Sequence, residues 1–249
     1  MILELKHNSF RFSPEKQILK DLTFSLEERN IYALMGSNGA GKTTLLNLIT
    51  GFLKPQNGEI YFREKNITNQ QTFKINRQGI GRTFQDLRLI TKLTVKENII
   101  LAMQNNPTDK WYNAIINFKD DLLWSLAKER RPEIIAERYF LTEVLNNLAG
   151  EISYGQQKLL SLACCDANGA ELFLLDEPVA GIQPEYRNKI AMLIKQLKEK
   201  GKTILLIEHN TDFISDVADK IFFLHDGEIS TFDNMETFRK DKQVIEAYI

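Results

Sequence analysis

The stretch GSNGAGKTT, Gly36 to Thr44, decides how the rest of the chain is read. It follows the apolar run IYALM and opens the segment KTTLLNLITGFLKP, where Leu45, Leu48, Ile49 and Phe52 fall on one helical face. Gly36, Gly39 and Gly41 let the backbone curl so that consecutive N–H groups face inward. Such a nest at a helix N-terminus holds phosphate. The spacing, Gly, four residues, Gly-Lys-Thr, is that of a P-loop. It predicts that Gly36, Ser37, Asn38, Gly39, Ala40 and Gly41 cradle the phosphates of a nucleotide, with Lys42 over the outer ones. Thr43 offers a hydroxyl to Mg²⁺, and Thr44 completes the binding segment.

A P-loop needs a carboxylate for its metal. The run ELFLLDEP supplies one, because four apolar residues carry Asp176 to the end of a buried strand. Asp176 is the expected Mg²⁺ residue, holding the ion through water. Glu177 is the expected base for the attacking water. Alone, an Asp-Glu pair there reads equally as turn and cap residues; the first loop gives it meaning. His209 closes the strand TILLIEH, where it can sense the γ-phosphate or simply sit half-buried. Gln85, in GIGRTFQDLRLI, can reach metal or water from an edge loop. Phe12, in SFRFS, is placed to stack on a base, though most phenylalanines belong to cores.

The stretch EISYGQQKLLSLA discriminates further. Ser153 can cap the helix that follows, Tyr154 and Gly155 bring N–H groups to its tip, and Gln156 sits in its first turn. This is a second phosphate-binding helix end. One P-loop suffices for one nucleotide, so the second end points to the nucleotide of another chain.

Around these motifs the pattern is α/β. MILELKHNSFRFS, ILKDLTFSLEE and GEIYFREKNI alternate as strands. After a helical stretch from Thr94 to Gly150, with an apolar face through Ile135, Tyr139, Leu141, Val144, Leu145 and Leu148, strands and helices alternate again. Near-continuous apolar strands predict a mainly parallel sheet covered on both faces. The domain expectation is one unit over residues 1–249 with a helical subdomain at about 94–160.

Composition bounds the function. Across 249 residues the formal net charge is -1, which offers no global footprint for nucleic acid, and none is expected as partner. The two cysteines, Cys164 and Cys165, are adjacent and resemble neither a disulfide framework nor a zinc site. Glu4 and Lys6 interrupt the N-terminus, so it does not read as a signal peptide. No run of eighteen or more uncharged apolar residues occurs, so no membrane span is expected.

With these residues in hand, the chain resembles the ATP-binding subunits of ABC transporters. GSNGAGKT resembles the family's Walker A motif, LFLLDE its Walker B motif and catalytic glutamate, and Gln85 and His209 its glutamine loop and switch histidine. ISYGQ (Ile152 to Gln156) resembles its signature, with Tyr154 in place of the first glycine. Lys158 stands where arginine is usual, and Gln183 where the superfamily has aspartate or this branch asparagine. Within the family, GIGRTFQDLRLITKLTVKENIILAMQ, DEPVAGIQPE and VIEAYI are similar to the branched-chain amino acid importer ATPases, with urea importer ATPases close. The resemblance implies a P-loop ABC ATPase core with an N-terminal antiparallel β subdomain and an inserted helical subdomain. It implies ATP and Mg²⁺ as ligands, with Glu177, His209 and Lys42 catalytic. Phe12 would stack on adenine, and Ser153, Gly155 and Gln156 would close on a second subunit's nucleotide. It further implies a peripheral protein on the cytoplasmic face of the cell membrane. There it would pair with an identical or sister ATPase, dock on permease subunits, and be served indirectly by an external solute-binding protein. A non-transport ATPase of DNA repair or translation is the rival, but such proteins carry long coiled coils or two such domains. A nucleotide-binding regulator without turnover is a third class, opposed by intact Glu177.

Overall fold

A computed structural model of the chain describes residues 1–85, 87–103 and 132–248. The chain opens with β1 (Leu3–Ser13) and β2 (Lys16–Leu26), paired antiparallel. Next come β3 (Ile31–Met35), the glycine loop and α1 (Lys42–Ile49). β4 (Asn57–Phe62) then returns to pair with β1 and with β5 (Lys65–Asn66), giving an antiparallel sheet in the order β2-β1-β4-β5.

A six-stranded sheet carries the rest. α2 (Thr72–Arg77) leads into β6 (Ile80–Arg82), and α3 (Val95–Ala102) and α4 (132–138) follow. α5 (Tyr154–Ala167), β7 (Leu172–Asp176), α6 (Pro184–Glu199), β8 (Thr203–Ile207) and α7 (Thr211–Val217) restore alternation. β9 (Lys220–His225) and β10 (Glu228–Phe232) form a hairpin, and α8 (Met235–Lys240) and α9 (Lys242–Tyr248) end the described chain. The strand order is β10-β9-β3-β8-β7-β6, with only the β9–β10 pairing antiparallel.

β3, β7 and β8 are buried at every residue because each side of this sheet is covered. Strand alternation divides their side chains between two cores. Ala33, Phe173, Leu175, Ile204 and Leu206 pack with residues of α5, α6 and α7. Tyr32, Leu34, Leu174, Leu205 and Ile207 face α1 and the antiparallel sheet.

Three expectations change. Phe52, placed on the first helical face, lies past the stop that Gly51 signals: Thr50 closes the helix, Gly51 takes φ 73°, and Phe52 emerges 44% exposed. The helical stretch expected to run to Gly150 loses its regular helix after 138. Phe140, at φ 58°, breaks it, and only a short 3₁₀ turn, Thr142–Val144, follows. Tyr139 and Leu141 are still fully buried, but Leu148, expected on the same apolar face, is 36% exposed. Third, β8 ends at Ile207, so His209 lies beyond the strand in the turn before α7. Much of the helical stretch expected between Thr94 and Gly150 falls at 104–131, outside the described residues.

Candidate nucleotide-binding site

The glycine loop fits its place through backbone geometry. Gly41 starts α1 at φ 104°, and a Cβ there would stand 2.6 Å from Ile18 Cγ2, so a side chain meets both strain and a neighbour. Lys42 folds back over the loop, its Nζ donating to the carbonyls of Gly36 at 2.7 Å and Ser37 at 3.0 Å. Burial holds this amine below the usual lysine range, and the charges of Glu177 and Asp176 offset part of that. Thr43 is exposed and Thr44 buried at the helix start.

The loop opens on a cavity of about 460 Å³, lined by residues distant in sequence. Phe12, Asn38, Gly39, Gly41, Lys42, Thr43, Thr44, Gln85, Glu177 and His209 all border it. Phe12 is 66% exposed and meets Phe10 edge-on at 4.9 Å, so its outer face is open. Gly36, Ser37 and Ala40 form the loop behind: Gly36 is buried, with Ala40 Cβ 3.4 Å from where its own Cβ would lie.

Glu177 adopts φ 50°, a left-handed backbone unusual outside glycine. The surroundings impose it. Its N–H donates to Ile207 O at 3.0 Å, and Lys158 Nζ donates to its carbonyl at 2.9 Å. The carboxylate meets Gln85 Nε2 at 3.3 Å on one oxygen and His209 Nε2 at 3.8 Å on the other. Glu208, 3% exposed, accepts from Val179 N and His209 N, joining the loops after β7 and β8. Burial depresses Lys158, while Glu208, Glu177 and Asp176 pull it back up. The charge of these three carboxylates offsets part of the cost of burying the ammonium, which is hydrogen-bonded to the Glu177 carbonyl.

Asp176 lies apart from the cavity wall. Its Oδ2 accepts from Arg82 at 3.1 Å, both side chains being 5% exposed. Arg82 also donates to Asn47 Oδ1 at 2.7 Å on α1. Burial lowers Arg82 from its ordinary value and the bond to Asp176 raises it. Sequence reasoning missed Arg82, Lys158 as the Glu177 brace, and Glu208. A charged residue inside the strand IGR, three positions before Gln85, was the available signal for the first.

The second helix end lies outside the cavity wall. Ser153 caps α5 as expected: its Oγ accepts from Gln156 N, and Gln156 Oε1 accepts from Ser153 N. Ser153 is exposed, Gly155 buried and Gln156 half-buried.

Thr43 hydroxyl, Asp176 carboxylate and Gln85 amide are hard oxygen donors of the kind Mg²⁺ takes. Among the described residues no group of three or more His, Cys, Asp or Glu side chains gathers as a metal cage.

The ABC transporter family model matches residues 19–180, which carry the glycine loop, the α5 cap and Glu177. The chain belongs to the ABC transporter family. This ABC transporter subunit is 33% identical to the high-affinity branched-chain amino acid transport ATP-binding protein LivG of Salmonella typhimurium, over 93% of this chain and 91% of that one. It is 31% identical to a probable LivG of Methanocaldococcus jannaschii, over 97% and 95%. A nucleotide-free ATP-binding cassette from an ABC transporter superposes with TM-score 0.83 at 31% identity, over 100% of this chain and 98% of that one. The cassette MJ0796, solved as a dimer in a post-hydrolysis state with ADP and Pi, superposes with TM-score 0.75 at 25% identity, over 93% and 98%. The ABC ATPase fold is therefore established, with its mixed sheet, N-terminal antiparallel subdomain and helical subdomain. Membership implies ATP hydrolysis coupled to transport. No helix among the described residues is long and apolar enough to cross a membrane.

Proposed function

We propose that this subunit hydrolyses ATP to power import of a branched-chain amino acid or related small solute through a membrane ABC transporter. The single supporting observation for turnover is the convergence of Lys42, Gln85, Glu177 and His209 on one cavity. Larger space exists elsewhere, a groove of about 700 Å³ near Phe52, but it has no phosphate-binding backbone.

In this reading Phe12 stacks on the adenine, and residues Gly36 to Thr44 hold the phosphates. Lys42 leaves its loop carbonyls for the outer phosphate oxygens. Thr43, Asp176 and Gln85 would hold Mg²⁺, which, when bound, neutralises charge across the phosphate oxygens. Glu177 accepts the proton of the attacking water while His209 orients that water and the γ-phosphate. Water adds in line as the bond to ADP breaks, giving ADP and phosphate. Ser153, Gly155 and Gln156 of a second ATPase, identical or sister, complete the site with donors aimed at the transferring oxygens. The dimer of the similar cassette MJ0796 supports this pairing.

The domain is proposed as one unit, 1–249, with 94–160 as the moving helical subdomain. The groove between α2 and α3 is proposed as the seat of a permease helix, on the cytoplasmic face of the membrane. Phe52, Phe73, Ile90 and Leu101 stand exposed along it. The named function of the LivG relatives supports the solute class.

Glu177→Gln tests the chemistry. ATP binding should persist while turnover falls at least ~100-fold, the lower range for loss of a general base; full turnover rejects Glu177 as the base. Uptake of labelled leucine by vesicles holding the whole transporter tests the solute. Accumulation of some other solute instead rejects only that half.

A further inference from the structure

One tyrosine outside every motif touches the tip of α5. Tyr186, near the start of α6, lays its ring so close to Gly155 that a Cβ there would stand 2.4 Å from Tyr186 Cγ. Its hydroxyl accepts from Ser153 Oγ at 3.2 Å. Lys189 Nζ lies 5.1 Å from the ring centroid, a cation–π contact that adds to the hold on the ring.

A serine hydroxyl has one hydrogen to give and room to accept two. Ser153 Oγ already accepts from Gln156 N, at 3.3 Å. In this structure the serine hydrogen is spent on Tyr186. When a phosphate oxygen across the subunit interface takes that hydrogen, the Tyr186 hydroxyl can turn and give its own to Ser153 Oγ, which fills both acceptor places and holds the serine hydrogen on the phosphate. We propose that Tyr186 is a positioning residue that commits the Ser153 hydroxyl to donate toward the partner subunit's nucleotide. This inference rests on the role proposed above for Ser153. The buried glycine at 155 serves the same end, since only a residue without Cβ lets the ring lie flat enough for the hydroxyl to reach.

The test uses the Glu177→Gln chain, in which ATP should persist, and two readouts. One is binding of a fluorescent ATP analogue to the separate chain. The other is ATP-driven association, followed by sedimentation velocity. Tyr186→Phe keeps the ring and deletes only the oxygen, so packing on Gly155 survives. Binding to the separate chain should be unchanged, whereas the ATP concentration for half-maximal association should rise about fivefold, the weight of one hydrogen bond. In a Ser153→Ala background the same substitution should add nothing, because the tyrosine acts through that serine. Unchanged association in Tyr186→Phe overturns the proposal, as does an equal loss in both readouts or an undiminished effect without Ser153. If Ser153→Ala itself leaves association untouched, the fault lies with the reading of Ser153 and not with the tyrosine.

Discussion

Arg82→Met isolates the buried pair beneath the candidate site. In the intact protein Arg82 and Asp176 meet at 3.1 Å with 5% of each side chain exposed. Removing one partner of such a pair typically costs about 3–5 kcal/mol, because the other charge stays buried without compensation. Two features favour the low end here. Lys42 and Lys158 both feel the charge of Asp176, so the carboxylate keeps some cationic company. Methionine also refills much of the volume of the arginine stem. Loss of the bond to Asn47 works the other way. The balance is about 3 kcal/mol, or roughly 6–12 °C in midpoint temperature for a chain of this size. Thermal and urea unfolding of the nucleotide-free protein measure it. Arg82→Met/Asp176→Asn removes both charges and should recover most of the loss, since deleting a buried pair together is often near neutral. A single variant within ~1 kcal/mol of the parent refutes the reasoning, by the same measure of what breaking a buried pair costs. A double variant no better than the single one does so too.

Three other outcomes follow from the geometry. Burial depresses Lys42 in the folded state, so its charge costs stability while both states are protonated; that cost is released as pH rises through the depressed value toward the ordinary ~10.4. The urea midpoint of the parent should therefore gain on that of Lys42→Met across this alkaline window, and parallel profiles would contradict it. Burial pushes the Cys164 thiol up to about 12 and raises Cys165 as well, so at pH 8 a disulfide reagent should label both roughly 1000-fold more slowly folded than unfolded. Gly155→Ala drives a methyl into the Tyr186 ring and should cost about 1–3 kcal/mol in urea unfolding, the usual range for overpacking. A neutral result would mean that the ring moves freely aside.

Legibility in the sequence followed the range of the interactions. The glycine loop, the strands ending at Met35 and Asp176, and the Ser153 cap are local patterns, and each stands where its residues place it; the strand expected to reach His209 stops at Ile207. Helix ends were less legible. Phe52 kept the apolar period, yet Gly51 at φ 73° turned the chain away before it. Leu148 likewise kept period with Tyr139 and Leu141, but Phe140 in a left-handed backbone broke the helix between them. Partners across the fold had no local mark at all. Arg82 reaches Asp176, 94 positions away, and Tyr186 reaches Ser153 across 33. Lys158 stood out only as a departure from arginine; that it braces the Glu177 carbonyl depends on a left-handed residue that periodicity does not reveal.

The sheet order separates the proposed working groups by how firmly they are mounted. Lys42, Glu177 and His209 follow β3, β7 and β8, each of which is hydrogen-bonded on both flanks. Gln85 hangs from β6, three residues long at the rim and stitched to β7 alone. A tug on that outer ribbon can withdraw the amide without unzipping the interior, leaving the anvil of the machine where it was while its trigger is pulled.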